Sequence, residues 1–252
     1  MSVKSSIHLY TGNSPNGHKI SITLEELGLS YGLTFVDLPK IQHKEPWFLA
    51  INPNGRIPAL TDTMPDGTPI NLFESGSIQQ YLVDIYDTEH KISYPKGSKE
   101  YYETNNWLFF QNAGVGPMQG QANHFIRYSH APEPIPYAVD RYVNETRRLY
   151  RTVDTHLKAS GNDYLVGNKG TIADIALFCW VNIAGFSGVD VTEFPLVQTW
   201  QKRMLDRSAV RKGLDVPVKV DLDKLTKEPE LFKDYLAKNE AWIRKGMQDD
   251  KN

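Results

Sequence analysis

The texture of this chain changes once, near residue 90, and that change limits what it can fold into. Before it, short strand patterns alternate with helix patterns; after it, the patterns are helical almost throughout. SIHLY (6–10) reads as a strand. A helical pattern begins at Gly17, with Ile20, Leu24 and Leu27 on one face and Gly28 as the stop. YGLTFVDL (31–38) alternates like a strand. RIPAL (56–60) and PINLF (69–73) are short strands on either side of DTMPDG, whose Pro-Asp-Gly favours a turn. Ile78, Tyr81, Leu82 and Ile85 recur at helical spacing. The predicted order for residues 1–90 is β-α-β-(short α)-β-β-α.

KISYPKGSKE is polar, with Pro95 and Gly97, and reads as a linker over 91–98. The second domain, 99–216, is expected to be all helix. Its first helix covers about 100–122 and should bend at GVGPM, because Pro117 has no N–H to give. A second starts after Pro136, with Ala138, Tyr142, Leu149, Val153 and Leu157 on one stripe. A third begins at TIAD, where Thr171 and Asp174 have capping-box spacing. A fourth runs from about Pro195 to Asp206. Residues 217–252 form a charged extension in which PELFKDYLAKNEAWIRKGM reads as an amphipathic helix, docked or frayed. Clefts between two domains are common ligand sites.

GNSPNGHKI (12–20) approximates a phosphate-binding loop, but the match fails in detail. That loop needs a lysine directly after its second glycine and a hydroxyl residue next, to reach phosphates and magnesium. Here His18 intervenes before Lys19, Ile20 follows, and Pro15 lacks an N–H where the cradle needs donors. The setting of strand, turn and helix start remains favourable to an anion, because first-turn amides are free and carry partial positive charge. A thiolate is such an anion. Ser14 and Asn16 add side-chain donors there, although either one also serves as a plain N-cap.

Cys179 is the single cysteine, so intrachain disulfides, CxxC pairs and cysteine-based metal clusters are excluded. It sits in the apolar run IADIALFCWV and reads as a small buried hydrophobe. Any thiol chemistry must therefore use a thiol that arrives with a ligand. The formal net charge of -2, without a dense basic block, gives nucleic-acid binding no support. No apolar run reaches the roughly 20 residues of a bilayer span, and MSVKSSIHLY lacks the apolar core of a signal peptide. A cytoplasmic protein is the expectation.

Three further stretches carry a family resemblance. NPNGRIPAL (52–60), LFESGSIQQYL (72–82) and GNKGTIADIAL (167–177), in this order and on this domain plan, resemble the cytosolic glutathione transferases. The resemblance covers about residues 6–216. It implies a thioredoxin-like α/β N-terminal domain plus an all-α C-terminal domain, the glutathione transferase fold. SPNGHKI, WLFFQNAGVGPMQGQANHF and IPYAVDRYVNETRRLY look most like two groups. These are the bacterial nu class of glutathione-dependent disulfide reductases and the fungal class related to the nitrogen-regulatory prion protein. The Asn/Gln-rich stretch of that prion protein is not among these residues.

The resemblance assigns roles residue by residue. Glutathione carries an ammonium and a carboxylate at its γ-glutamyl end, a central thiol and a glycyl carboxylate. Glu74 accepts from the ammonium, and Ser75, at a helix N-terminus, binds the carboxylate; the plain alternative is an acidic first turn with its cap. Ile57, before a cis-proline, pairs in strand fashion with the cysteinyl part. His43 meets the glycyl end, or else is an ordinary loop histidine. Asn16 donates to the thiolate, with Ser14 beside it, and Tyr10 on the first strand has no such role. Arg141 reaches glutathione from the partner subunit of a homodimer, or else is a solvated charge. Trp107, Phe109, Phe110 and Phe125 are read as core or dimer contacts before second-substrate pocket.

The expected function is a glutathione transferase-like enzyme with glutathione as co-substrate and no metal. Its partner substrate is a disulfide, reduced at glutathione's expense, or a small electrophile. The alternative is a weakly catalytic regulatory or binding protein on the same fold.

Overall fold

A computed structural model describes residues 6–129, 133, 135–220 and 228–249 of the protein. Part of the expected C-terminal extension, 221–227 and 250–252, lies outside the described residues. The N-terminal domain is a four-stranded sheet in the order β2-β1-β3-β4, from β1 (His8–Thr11), β2 (Gly32–Phe35), β3 (Ala59–Thr63) and β4 (Pro69–Phe73). β1 and β2 run parallel and are joined by α1 (Pro15–Leu27), while β3 is antiparallel to both β1 and β4. The short α2 (Pro46–Leu49) and then α3 (Ser75–Tyr86) complete the predicted order. Leu9, Ile20, Leu24, Leu60, Ile78 and Leu82 form the core between sheet and helices.

Two boundaries differ from the sequence reading for a clear physical reason. α1 starts at Pro15, not Gly17, because Ser14 caps it and proline is tolerated in the first turn, where no intrahelical N–H is needed. It ends at Gly28 in the left-handed conformation, as predicted. β3 starts at Ala59 because Pro58 has no N–H for the ladder. β4 matches the expected span, with Met64 N and Gly67 N closing the turn before it.

The helical domain opens with one long helical run, in which α4 (Lys99–Phe109) passes through a π turn (Phe110–Val115) into α5 (Gly116–Asn123) and a second π turn (His124–Tyr128). Pro117 is therefore not the interruption; it lies in the first turn of α5, and the π turn precedes it. α6 (Pro136–Ser160), α7 (Ile172–Val181), α8 (Pro195–Leu205) and α9 (Ser208–Leu214) follow, and α10 (Pro229–Asp249) is the predicted tail helix. Asp174 organises this core. Its carboxylate accepts from Thr171 N and Oγ1 (2.9 Å each), Leu165 N (2.9 Å) and Trp200 Nε1 (2.9 Å), so a fully buried charge is satisfied by four donors.

The two domains are tied together by buried polar contacts. Ser21 Oγ donates to Gly213 O at 2.7 Å, and Gln79 Nε2 donates to Ile172 O at 3.3 Å. Trp107 packs on Phe110 and His156 against the helical core, and Phe125 stacks on Tyr142; Phe109 is 61% exposed. Among the described residues no helix is long and apolar enough to cross a membrane.

Candidate functional site

Residues 12–16 turn the chain from β1 into α1 beside the helical domain. The turn is tight. A Cβ on Gly17 would lie 2.3 Å from Thr11 Oγ1 and 2.7 Å from Gly12 O, so only glycine lets the helix start so close to the strand. Ser14 is the N-cap, its Oγ accepting from Gly17 N at 3.0 Å. Asn16 does not cap. Its Oδ1 accepts from Trp180 Nε1 on α7 at 3.1 Å. An indole N–H can only donate, so this bond fixes the amide and leaves its two N–H donors for another partner.

Ile57 lies beside this turn: a Cβ on Gly12 would be 3.1 Å from Ile57 Cδ1. The Ile57–Pro58 peptide is cis. Glu74 follows β4 with φ 65 and ψ 112, a conformation that costs a non-glycine residue about 1–3 kcal/mol and is characteristic of ligand clamps. Its side chain is exposed, whereas Ser75, the first residue of α3, is buried. Beneath Ser75 lies Lys19, fully buried, whose Nζ donates to Ser75 Oγ at 3.1 Å and to Asn112 Oδ1 at 3.2 Å. Ser75 Oγ also donates to Asn112 Oδ1 at 3.3 Å. Burial pushes the Lys19 amine down to about 7, with Cys179 and Glu74 opposing that shift.

His43 belongs to a single turn of 3-10 helix, Gln42–Lys44, and is only 6% exposed. It is no ordinary solvent-exposed loop histidine: Trp242 of α10 meets its ring edge-on at 5.4 Å. Burial, then the nearby charges of Lys44 and Arg56, hold it below the usual histidine range. Arg141 stands exposed on the second turn of α6, away from these groups in sequence and element. Cys179 is buried, and burial pushes its thiol up to about 12, which leaves it inert as a nucleophile near neutral pH. The described residues contain no cluster of three or more His, Cys, Asp or Glu placed to hold a metal.

Asn16 and Ser14 thus share one turn with Ile57 beside it, Glu74 and Ser75 share the start of α3, and Trp180 links the first group to the helical domain. Family models described as the N-terminal and C-terminal domains of glutathione S-transferase match residues 13–85 and 123–208. The chain belongs to the glutathione S-transferase family. Disulfide-bond oxidoreductase YfcG of Escherichia coli is 43% identical over 210 residues, which cover 82% of this chain and 94% of that one. Transcriptional regulator URE2 of Saccharomyces cerevisiae is 37% identical over 235 residues, covering 80% of this chain and 65% of its own length. A crystal structure of a glutathione transferase homologue from Lodderomyces elongisporus, with two glutathione molecules per subunit, superposes with a TM-score of 0.77 at 45% identity, covering 84% of this chain and 98% of that one.

Four family-site neighbours escape sequence reasoning. Trp180 hides in an apolar run, Asn112 in a π turn without sequence signature, and Trp242 in a tail beyond the matched segments. Lys19 does carry a signal, a lysine soon after the second glycine of GNSPNGHKI, but it reads as a displaced phosphate ligand.

Proposed function

We propose that this member of the family binds glutathione and presents its thiolate to a disulfide, with small electrophiles as the alternative acceptor. The observation that carries the reading is Asn16: an amide at the start of α1, its oxygen held by Trp180, its N–H donors free for a sulfur anion. A hydrogen bond to a charged group is worth about 1.5–3 kcal/mol, enough to favour the thiolate over the thiol. In this assignment Ser14 lies next to the thiol, Ile57 pairs with the cysteinyl backbone, Glu74 and Ser75 take the γ-glutamyl end, and His43 takes the glycyl end.

The reaction balances without a protein thiol. One glutathione thiolate attacks a sulfur of the disulfide, forming a mixed disulfide and releasing one thiolate. A second glutathione thiolate attacks the mixed disulfide, yielding glutathione disulfide and the second thiolate. The protein contributes orientation and anion stabilisation. Support for a homodimer comes from α4, which exposes Tyr102 (59%) and Phe109 (61%) two turns apart. Arg141 is then the residue offered to the neighbouring subunit's glutathione. Glutathione as reductant fits a reducing, cytoplasmic setting.

Reduction of 2-hydroxyethyl disulfide by glutathione tests the reading on three proteins. Cys179→Ser should retain the wild-type rate, and Asn16→Ala should lose about tenfold or more. An inactive Cys179→Ser, or an unimpaired Asn16→Ala, removes the assignment. The regulatory alternative gains only if the wild type binds glutathione and turns over no disulfide or electrophile.

A further inference from the structure

Lys19 is fully buried, yet it contacts no carboxylate. Its described acceptors are two neutral oxygens, Ser75 Oγ and Asn112 Oδ1. An ammonium out of water with only neutral partners costs several kcal/mol, and such groups persist where they shed the proton or where an anion completes them. The surrounding packing holds the amine in place. Asn112 Nδ2 donates to Leu108 O at 2.9 Å, which orients the amide so that Oδ1 faces Lys19. Gly76 keeps the contact close, because a Cβ there would lie 2.8 Å from Asn112 Nδ2.

Ser75 sets the place where an anion can complete Lys19. It opens α3, where free backbone amides favour an anion, and its hydroxyl separates that position from Lys19. When a carboxylate arrives, the Ser75 hydroxyl can swing from Asn112 to donate to it. Lys19 continues to donate to both Ser75 Oγ and Asn112 Oδ1, so no buried acceptor is left without a partner.

Resting on the glutathione reading above, we propose that Lys19 is a positioning residue and the buried counter-charge of glutathione's γ-glutamyl carboxylate, acting through the Ser75 hydroxyl. The titratable groups facing it are few. Cys179 approaches from α7 and stays a thiol, and Glu74 stands ahead of α3. His18, its neighbour on α1, is held neutral by burial, its value lowered to about 4. Lys19 itself, at about 7, is the group poised to change charge near neutral pH. Binding of the carboxylate then draws a proton onto it from solvent.

Calorimetry with S-methylglutathione, which has no thiol to ionise, tests this. The comparison ligand replaces the γ-glutamyl unit with 4-aminobutyryl, keeping the amine and removing only the carboxylate. In wild-type protein at pH 8, titrations in buffers of different ionisation enthalpy should show about one more proton taken up with S-methylglutathione than with the comparison ligand. Lys19→Met should weaken S-methylglutathione by about tenfold and leave the comparison ligand within about twofold, with the extra proton gone. Equal weakening of both ligands makes Lys19 a packing residue and overturns the proposal, as does equal proton uptake in the wild type. That second readout needs no variant and stands even if Lys19→Met does not fold. If the wild type binds neither ligand, the glutathione reading itself has failed.

Discussion

The two ends of the proposed glutathione site are built differently. The γ-glutamyl end is made of core residues: Ser75 on α3, Lys19 on α1 and Asn112 in the π turn, each buried or half-buried and bonded to the others. The glycyl end is a histidine on one turn of 3-10 helix, roofed by Trp242 from α10. α10 lies beyond residue 208, where the family-model match stops. It spans from Phe232, packed with Phe186 and Arg127 on the helical domain, to Trp242 over the N-terminal domain. In the proposed site one end is therefore built of groups that cannot move without disturbing the core. The other is built on a group that an appended helix covers.

Breaking the rigid end should have the largest effect. Glu74→Gln combined with Ser75→Ala removes the ammonium acceptor and the carboxylate donor, and glutathione affinity by calorimetry should fall about 100-fold. Gly76→Ala forces Asn112 away from Ser75. It should lower both thermal stability, by about 1–3 kcal/mol, and glutathione affinity, whereas no such coupling is expected at the glycyl end. Trp180→Phe keeps an aromatic ring and removes the donor to Asn16 Oδ1, so the disulfide-exchange rate should fall about threefold to tenfold with affinity nearly unchanged.

The covered end should respond least. Trp242→Ala removes part of the burial that holds His43 below its usual range. His43 should then titrate at higher pH, a shift read by NMR, and glutathione affinity should change by less than about threefold. A tenfold loss of affinity instead would place Trp242 in the binding site itself and erase the contrast between the two ends.

Of the rigid end only the helix start at Ser75 was legible in the sequence, because its marker is local. The start of α1 reads two residues late, at Gly17 instead of Pro15, whereas Pro-Asp-Gly fixes the β3–β4 turn and Glu74-Ser75 heads a clear helical period. The capping pair Thr171 and Asp174 was legible for the same reason. Other features depend on contacts distant in sequence. Nothing near Trp180 signals that its indole crosses to Asn16, 164 positions away. The interruption expected at GVGPM takes the form of a π turn over Phe110–Val115, a helix register with no local sequence marker. A buried lysine runs against the usual placement of that residue, so Lys19 reads as a displaced phosphate ligand until Ser75 and Asn112 are seen around it.

The central claim is that Asn16 stabilises a ligand-borne thiolate. Its most direct test is the ultraviolet absorbance of the thiolate of bound glutathione, followed against pH in wild type and Asn16→Ala. The account predicts that the bound thiol ionises at lower pH than free glutathione in the wild type and returns about one unit or more toward the free value in the variant. Identical titration curves for the two proteins would contradict it.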